Sequence, residues 1–293
     1  MGRIISPGLP DWKPRRVLPP FLACSIMKAP REKKADHPLT AQTRGPSRPA
    51  RWGRRFSRLN FRRRDECDLA LRWLDAAEGE RILDIGCGDG YYDWLIGRSG
   101  AHVTGIDIHG QRLAFARRRY GSERTRFLDL DAESADFRDG TFDKALSLCV
   151  LEHLANEERV LSNVSRAMKA GGRLVLTADS LTNPGITPAE RERHRRRYAV
   201  NTFYTPVNAG EKLSRAGFEI ERTGYVLSTA WALRLVRISW RLDELPAALA
   251  FLRPLGYLVL GVAHSVSSVF GRKTPESATS GLTLVIQARR KAA

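Results

Sequence analysis

A glycine cluster follows a short apolar run near residue 85. Residues 81–90 read R-I-L-D-I-G-C-G-D-G, so that Asp84 precedes Gly86, Gly88 and Gly90. Glycines permit tight turns and let a ligand approach the main chain without meeting a Cβ. The residues that follow are compatible with a helix, whose first turn offers unpaired N–H groups. This arrangement predicts a loop that binds a small ligand, with a ligand-free glycine turn as the alternative.

A second apolar run ends in a carboxylate, Asp107, 21 residues after Gly86. At that spacing in a βαβ unit a carboxylate can accept both hydroxyls of a ribose. Dinucleotides and S-adenosylmethionine share this geometry. The dinucleotide fingerprint would place its third glycine at Tyr91, and an acidic Asp84 beside the loop disfavours a pyrophosphate but suits an ammonium group.

From Glu80 onward, short apolar runs alternate with amphipathic segments, which is typical of βα units around a parallel sheet. Strands are predicted at 81–85, 102–106, 125–129, 142–148, 173–177, 218–226 and 282–288. Helices are predicted at 65–77, 91–99, 111–120, 156–168 and 207–216. The predicted fold class is α/β, a Rossmann-like seven-stranded, mostly parallel sheet with helices on both faces and a helical insertion before the last strand.

At these positions the sequence resembles the class I S-adenosylmethionine-dependent methyltransferases, especially their small-molecule, ubiquinone-biosynthesis-like group. Residues 83–90 resemble the first motif of that family and residues 105–107 the second. Further segments that match in order are 129–133, 142–143 and 150–154, then 170–174 and 216–218 at the turns into strands five and six. The resemblance covers about residues 74–227 and the last strand.

The resemblance implies S-adenosylmethionine as the cofactor and assigns its contacts residue by residue. Asp84 and the backbone of Gly86, within the loop that holds Gly88 and Gly90, are expected to bind the methionine end. Asp107 is expected to bind the ribose hydroxyls. The other expected contacts are Ile108 beside the adenine, the Asp131 side chain on the adenine amine, the Ala132 N–H on the adenine ring, and Leu148 and Cys149 facing the sulfonium and the acceptor.

Methyl transfer needs an acceptor aligned in a dry site, and a hydroxyl acceptor also benefits from a base. His153 follows strand four beside the expected methyl position and is the candidate catalytic base, with capping or packing of the next helix as the alternative. Some relatives bind a divalent cation through Glu-x-x-Glu-His at this place, whereas Cys149 replaces the leading Glu here. Because hard cations prefer oxygen ligands, no metal site is predicted.

Basic charge is concentrated at the beginning of the chain. The 293 residues carry a formal net charge of +17, and residues 1–64 hold 17 Lys and Arg against three Asp and Glu. Residues 1–60 lack a sustained apolar period and are predicted to form a disordered basic tail. The cysteine spacing and the absence of a predicted secretory signal favour a cytoplasmic protein. The other predicted domains are a methyltransferase core at 61–227, an apolar helical insertion at 228–280, and the last core strand with a basic C terminus at 281–293.

The insertion has an unusual composition. It carries Arg234, Arg237 and Arg241 at helical spacing, and residues 255–270 contain no Asp, Glu, Lys or Arg. Sixteen residues are shorter than the ~20 that a spanning helix needs. The composition of the insertion predicts peripheral attachment to the inner face of an anionic membrane. A cap on the protein's own core and a dimer interface are open alternatives. The cationic residues 189–198 form either a solvated helix face or a contact for an anionic acceptor or headgroup.

Together these features predict an enzyme that methylates a small-molecule or lipid-linked acceptor at O, N or C. One alternative is an RNA or DNA methyltransferase that uses the basic tail with Trp52 and Phe56. Against nucleic acid, residues 147–150 lack the Asn/Asp-Pro-Pro-aromatic tetrad of base-amine methylases. The other alternative is a non-catalytic scaffold that binds the cofactor.

Overall fold

The computed structural model describes residues 60–270 and 275–292, so residues 1–59 of the predicted tail, with Trp52 and Phe56, lie outside it. The helices and strands, in chain order, are α1 (Phe61–Leu74), β1 (Arg81–Ile85), α2 (Tyr91–Gly97), β2 (His102–Asp107), α3 (Gly110–Tyr120), β3 (Thr125–Asp129), β4 (Phe142–Leu148), α4 (Glu157–Ala167), β5 (Met168–Asp179), α5 (Pro188–Tyr198), α6 (Pro206–Arg215), β6 (Phe218–Val226), α7 (Ala230–Asp243), α8 (Arg253–Phe270) and β7 (Thr283–Arg290). Short 3₁₀ turns occupy Leu151–His153, Ala247–Leu252 and Pro275–Ser277.

The strands form one sheet in the order β3-β2-β1-β4-β5-β7-β6. β1 to β5 pair in parallel, and β7 lies antiparallel between β5 and β6. The α/β class and the Rossmann-like, mostly parallel sheet are therefore confirmed. The strand order reverses between β1 and β4, and open α/β sheets bind ligands at the carboxyl ends of the strands flanking such a point.

Each face of the sheet has its own core. Along β1, Ile82 contributes to one core, whereas Leu83 and Ile85 contribute to the other. Because strand side chains alternate, Asp84 lies on the face of Ile82. Helices α1, α2, α7 and α8 supply residues to that core, and α4 and α6 supply residues to the opposite one. Helix α1 and the insertion thus cover the face on which Asp84 lies.

Helix α1 begins at Phe61, four residues before the predicted start, and ends at Leu74 instead of residue 77. The Asn60 side chain caps it by accepting from the Arg62 N–H at 3.2 Å. Asp75 adopts a left-handed conformation with φ 49° and stops the helix. The spacing of the basic residues does not indicate this helix start. The start is determined by burial of the Phe61 side chain.

Helix α8 buries two polar side chains beside the core residue Leu260, and it exposes a row of apolar side chains. Tyr257 and His264 are buried and bond to Asp243 and Asp65 respectively. Every exposed residue between Pro246 and Ser267 is apolar. We call the large ones the apolar outer face: Leu249, Phe251, Leu252, Leu255, Leu258, Val259, Val262 and Val266. Across the described residues, one segment, Ala247–Ser267, is long and apolar enough to cross a membrane.

Candidate active site

The glycine loop between β1 and α2 has two packed positions and one open one. Gly86, Gly88 and Gly90 have φ angles of 75°, 59° and 77°. A Cβ at Gly86 would strike Val150, and one at Gly90 would lie 2.5 Å from Phe127. A Cβ at Gly88 would have its nearest neighbouring atom 4.0 Å away. Packing therefore requires Gly86 and Gly90, whereas Gly88 borders free space.

Asp107 ties the end of β2 to this loop. Its Oδ2 accepts the Gly88 N–H at 2.9 Å, and its Oδ1 accepts the His109 N–H at 2.8 Å. The Gly86 and Cys87 N–H groups both donate to the Ile106 carbonyl, at 2.8 and 3.0 Å. The predicted ribose carboxylate and the predicted binding loop are thus held side by side.

Asp84 and Asp93 are neighbouring buried carboxyls that interact with each other. Asp84 Oδ1 and both carboxyl oxygens of Asp93 have no other hydrogen-bond partner among the described residues. Burial raises the pKa of Asp84 to about 7. Burial, followed by the nearby Asp84 charge, raises the pKa of Asp93. Buried polar groups normally have partners. A cationic group of a ligand, such as the ammonium of S-adenosylmethionine, would supply the missing one, so these residues fit that cofactor.

The residues predicted to contact adenine lie at the ends of β2 and β3. Ile108 is 49% exposed, which is high for a large apolar side chain. Asp131 is exposed, and its Oδ1 accepts the Glu133 N–H at 2.9 Å. The Ala132 carbonyl accepts from the Asn163 side chain at 3.1 Å. The structure therefore brings the predicted adenine and ribose contacts to one edge of the sheet, and their roles stay predictions.

A cavity of about 200 Å³ lies at the carboxyl ends of β4 and β5, under α1, α5 and α7. Its apolar walls include Leu181, Leu227, Val236, Trp240 and Leu282, and its polar walls include Glu66, Cys149, His153, Asp179 and His194. Leu148, predicted to face the sulfonium, is buried in the core beside it. Of the predicted site residues, Cys149 and the candidate base His153 line the cavity.

Three residues of the cavity wall have left-handed backbones although they are not glycine. Cys149, Leu181 and Leu227 have φ angles of 52°, 49° and 56°, each just after one of the strands β4, β5 and β6. This conformation costs roughly 1–2 kcal/mol per residue. The Cys149 N–H donates to the backbone carbonyl and the hydroxyl of Thr177, both at 3.0 Å, which holds the turn. Strain of this kind concentrates at functional sites.

An ion pair from α1 forms part of the wall and was missed by sequence reasoning. Arg63 bonds to Glu66 at 2.7 Å and donates to the Leu148 carbonyl at 3.2 Å. Glu66 Oε2 accepts from Cys149 Sγ and from Thr283 Oγ1, each at 3.4 Å. Burial raises the pKa of Glu66. The i,i+3 spacing of Arg63 and Glu66 is the sequence feature that indicates this ion pair. Because the neighbouring residues are also basic, the pair does not stand out in the sequence.

Two histidines line the cavity, and only one was predicted. His153 lies with its Nδ1 3.3 Å from the Ala199 carbonyl, and its role as a base stays a prediction. His194, on α5, lies with its Nε2 2.7 Å from Asp179 Oδ2. His194 lies within the cationic residues 189–198, which the sequence analysis interpreted by their net charge alone.

The site also contains a group that could hold a metal ion. The ligand atoms of Cys149, Glu152 and Asp179 lie within 4.8 Å of one another. Burial raises the pKa of the Cys149 thiol, which is therefore protonated at neutral pH. Glu152 Oε1 accepts the Asp179 N–H at 2.9 Å, while its Oε2 has no partner among the described residues. The expectation of no metal site stays a prediction.

Comparisons with known proteins agree with this geometry. Residues 83–176 match the model of a methyltransferase domain. A demethylmenaquinone methyltransferase of Tropheryma whipplei is 34% identical over 122 residues, covering 42% of this chain and 51% of that protein. A ubiquinone biosynthesis O-methyltransferase of Xanthomonas oryzae pv. oryzae is 29% identical over 187 residues, covering 60% of this chain and 77% of that one.

Solved structures show the same fold. Phosphoethanolamine N-methyltransferase 2 of Haemonchus contortus, in complex with S-adenosylmethionine, superposes with a TM-score of 0.57 at 20% identity, over 78% of this chain and 53% of that one. The matched part of this chain spans about half the length of the menaquinone relative. Residues 83–176, which match the methyltransferase domain, contain the glycine loop, Asp107 and Cys149. Residues 83–176 are therefore a methyltransferase domain, and the described residues have the fold of the S-adenosylmethionine-dependent methyltransferases.

Proposed function

We propose that the protein transfers the methyl group of S-adenosylmethionine to a hydroxyl of an apolar, lipid-linked acceptor held in the cavity. The observation that carries this proposal is the position of the cavity. It lies at the end of β4, the strand that pairs with β1 and its glycine loop. The name of a ubiquinone biosynthesis O-methyltransferase supports transfer to a hydroxyl oxygen. Together with the name of a demethylmenaquinone methyltransferase, it also supports an apolar, quinone-type acceptor.

The cofactor would be held by residues from three adjacent strands. Asp84 would bind its ammonium, Asp107 its ribose hydroxyls and Asp131 its adenine amine. Gly88 would let it approach the backbone, since a side chain at that position would occupy the free space. When bound, the cofactor supplies a methyl group on a positively charged sulfur.

The protein's main contribution is to align the acceptor and exclude water. Leu181, Leu227 and Trp240 would contact the apolar body of the acceptor. Holding reactants in this way can lower a barrier by roughly 7–11 kcal/mol in favourable cases. The turn at Cys149 would fix the wall nearest the transferred methyl group.

We further propose that the acceptor is reached from the cytoplasmic surface of a membrane. The apolar outer face supports this, since exposed apolar patches of such extent mark interaction sites. Arg234 and Arg241 are exposed and have no ion-pair partner among the described residues, which suits anionic headgroups. Arg237, expected to join them, instead bonds to Glu190 at 2.6 Å. A helix of this kind lies in the membrane–water interface, while its inner face stays packed against the rest of the protein.

Replacing Asp107 with alanine is expected to weaken binding of S-adenosylhomocysteine by about 1–3 kcal/mol, because charge-assisted hydrogen bonds are lost. Calorimetric titration measures this. The matched control is Asp129→Ala, since Asp129 is exposed and ends the adjacent strand in register with Asp107. Equal affinities for the two folded variants would refute the ribose assignment.

A pair of model acceptors tests the reaction. With methyl-labelled S-adenosylmethionine, 4-decylcatechol is expected to be O-methylated with a higher kcat/KM than catechol, since the alkyl tail contacts the apolar wall. The products are identified by mass spectrometry. Transfer to neither compound would refute the hydroxyl acceptor, and equal kcat/KM values would refute the apolar one.

A further inference from the structure

We propose that His194 is the general base that takes the proton from the acceptor hydroxyl, and that Asp179 is its positioning residue. This inference rests on the proposed O-methylation and names the catalytic group for it. Neither residue was singled out by the sequence motifs.

The two side chains form a hydrogen-bonded pair in the cavity wall. His194 Nε2 lies 2.7 Å from Asp179 Oδ2. Asp179 ends β5, and its own N–H donates to Glu152 at 2.9 Å, which fixes the strand end. The Tyr198 ring lies beside the imidazole, with centroids 4.5 Å apart. The imidazole is therefore held in place from two sides.

The other imidazole nitrogen, Nδ1, is buried and has no hydrogen-bond partner among the described residues. A carboxylate can only accept, so Nε2 must carry the proton in the bond to Asp179. In the neutral imidazole, Nδ1 then carries a lone pair and no proton. A buried acceptor normally has a donor. Because His194 lines the cavity, the hydroxyl of a bound acceptor would supply that donor.

This arrangement follows the logic by which a carboxylate holds a histidine in the tautomer that can act as a base. The other charged or titratable side chains of the cavity are Arg62, Arg63, Glu66, Cys149, His153 and Tyr198. Arg63 is bonded to Glu66, and Arg62 to Asp243. His153 Nδ1 lies against the Ala199 carbonyl. His194 has a carboxylate partner, Asp179, which would stabilise the imidazolium that forms when the base takes a proton.

In the step itself, the acceptor O–H bond breaks and its proton goes to His194 Nδ1. An oxygen lone pair forms the new C–O bond as the C–S bond breaks, and the electrons of that bond stay on sulfur. The products are the methyl ether, neutral S-adenosylhomocysteine and an imidazolium paired with Asp179. The imidazolium then releases its proton to solvent.

The tautomer can be tested without any acceptor. Long-range ¹H–¹⁵N correlation on the ¹⁵N-histidine protein with S-adenosylhomocysteine, assigned by the signal missing from His194→Gln, is expected to show the proton of His194 on Nε2 at pH 7.5. Asp179→Asn should change that pattern. A proton on Nδ1 in the wild-type protein would overturn the assignment.

Methyl transfer to 4-decylcatechol provides the second test. His194→Gln is expected to lower kcat by about 10²–10⁴-fold and to remove the acid limb of the pH profile, with the affinity for S-adenosylhomocysteine unchanged. His102→Gln, which changes a histidine at the start of β2, is the control for a general effect of the substitution. His153→Gln tests the competing histidine.

The outcomes separate the two proposals. If His194→Gln keeps wild-type kcat and pH profile, or if His153→Gln alone removes the acid limb, the base assignment is wrong while O-methylation stands. If the wild-type protein binds S-adenosylhomocysteine but transfers no methyl group to the catechol, the proposed O-methylation fails. The tautomer measurement then reports on the His194–Asp179 pair independently.

Discussion

The unliganded protein is expected to lose stability as the pH rises from about 5 to 8.5, and Glu152→Gln is expected to remove a large part of that loss. Glu152 is fully buried, and burial, with the Asp179 charge adding to it, raises its pKa to about 8. An unfolded glutamate has a pKa near 4.3. Between these values the folded state holds a proton that the unfolded state has released.

Stability therefore falls with rising pH by up to roughly 1.4 kcal/mol per pH unit for this one carboxyl. The raised pKa values of Asp84 and Asp93 act in the same direction. Glutamine cannot ionise, and its oxygen can still accept the Asp179 N–H. The variant should thus melt above the wild-type protein at pH 8.5 and close to it at pH 5.

Melting temperatures at several pH values test this. Glu123→Gln is the matched control, because Glu123 is exposed and should leave the pH dependence unchanged. A wild-type melting temperature that rises from pH 5 to 8.5 would contradict the buried protonated acids. So would a Glu152→Gln variant with the same pH slope as Glu123→Gln.

The second large effect is expected at the apolar outer face. Wild-type protein should float with vesicles of phosphatidylglycerol and phosphatidylcholine, and Val259→Glu combined with Val262→Glu should abolish flotation. Burying a valine-sized side chain contributes about 1.5–3 kcal/mol. Loss of two such contributions lowers partitioning by about 10²-fold or more. Both valines are exposed, so the melting temperature should change little.

The chain offers a close control in Val207, which is 72% exposed on α6 and lies outside the apolar outer face. Val207→Glu should float like the wild-type protein. Wild-type protein that stays in the soluble fraction at low salt would contradict membrane attachment. Sedimentation equilibrium would then show whether a second copy covers this face.

Sequence patterns predicted the part of the site whose residues lie close together in the chain. The glycine loop, β1, β2 and Asp107 follow one another within a single βαβ unit, so spacing alone located them. Periodicity likewise predicted α3 and α4 nearly to the residue. The resemblance of these segments predicted a mostly parallel sheet of seven strands, whereas the strand order and the antiparallel pairing of β7 come from the structure.

The acceptor side of the site depends on contacts between distant elements, which sequence patterns do not contain. Glu66 meets Cys149 across 83 residues, and His194 meets Asp179 only because α5 folds back over β5. In α5, the guanidinium groups of Arg191 and Arg195 lie over the Phe203 ring. The cationic side chains of this helix therefore do not form a single solvated face. Which side chains of α8 are buried and which are exposed depends equally on the side that packs against α1.

Methyl transfer itself is measured most directly by incubating the protein with S-adenosylmethionine that carries a deuterated methyl group, together with a total lipid extract and, separately, an aqueous extract of cells. Mass spectrometry follows the label. We predict that the label enters a compound of the lipid extract and that Asp107→Ala slows this transfer while Asp129→Ala does not. Tight binding of S-adenosylhomocysteine with no label in any compound of either extract would contradict an enzyme and leave a scaffold that only binds the cofactor.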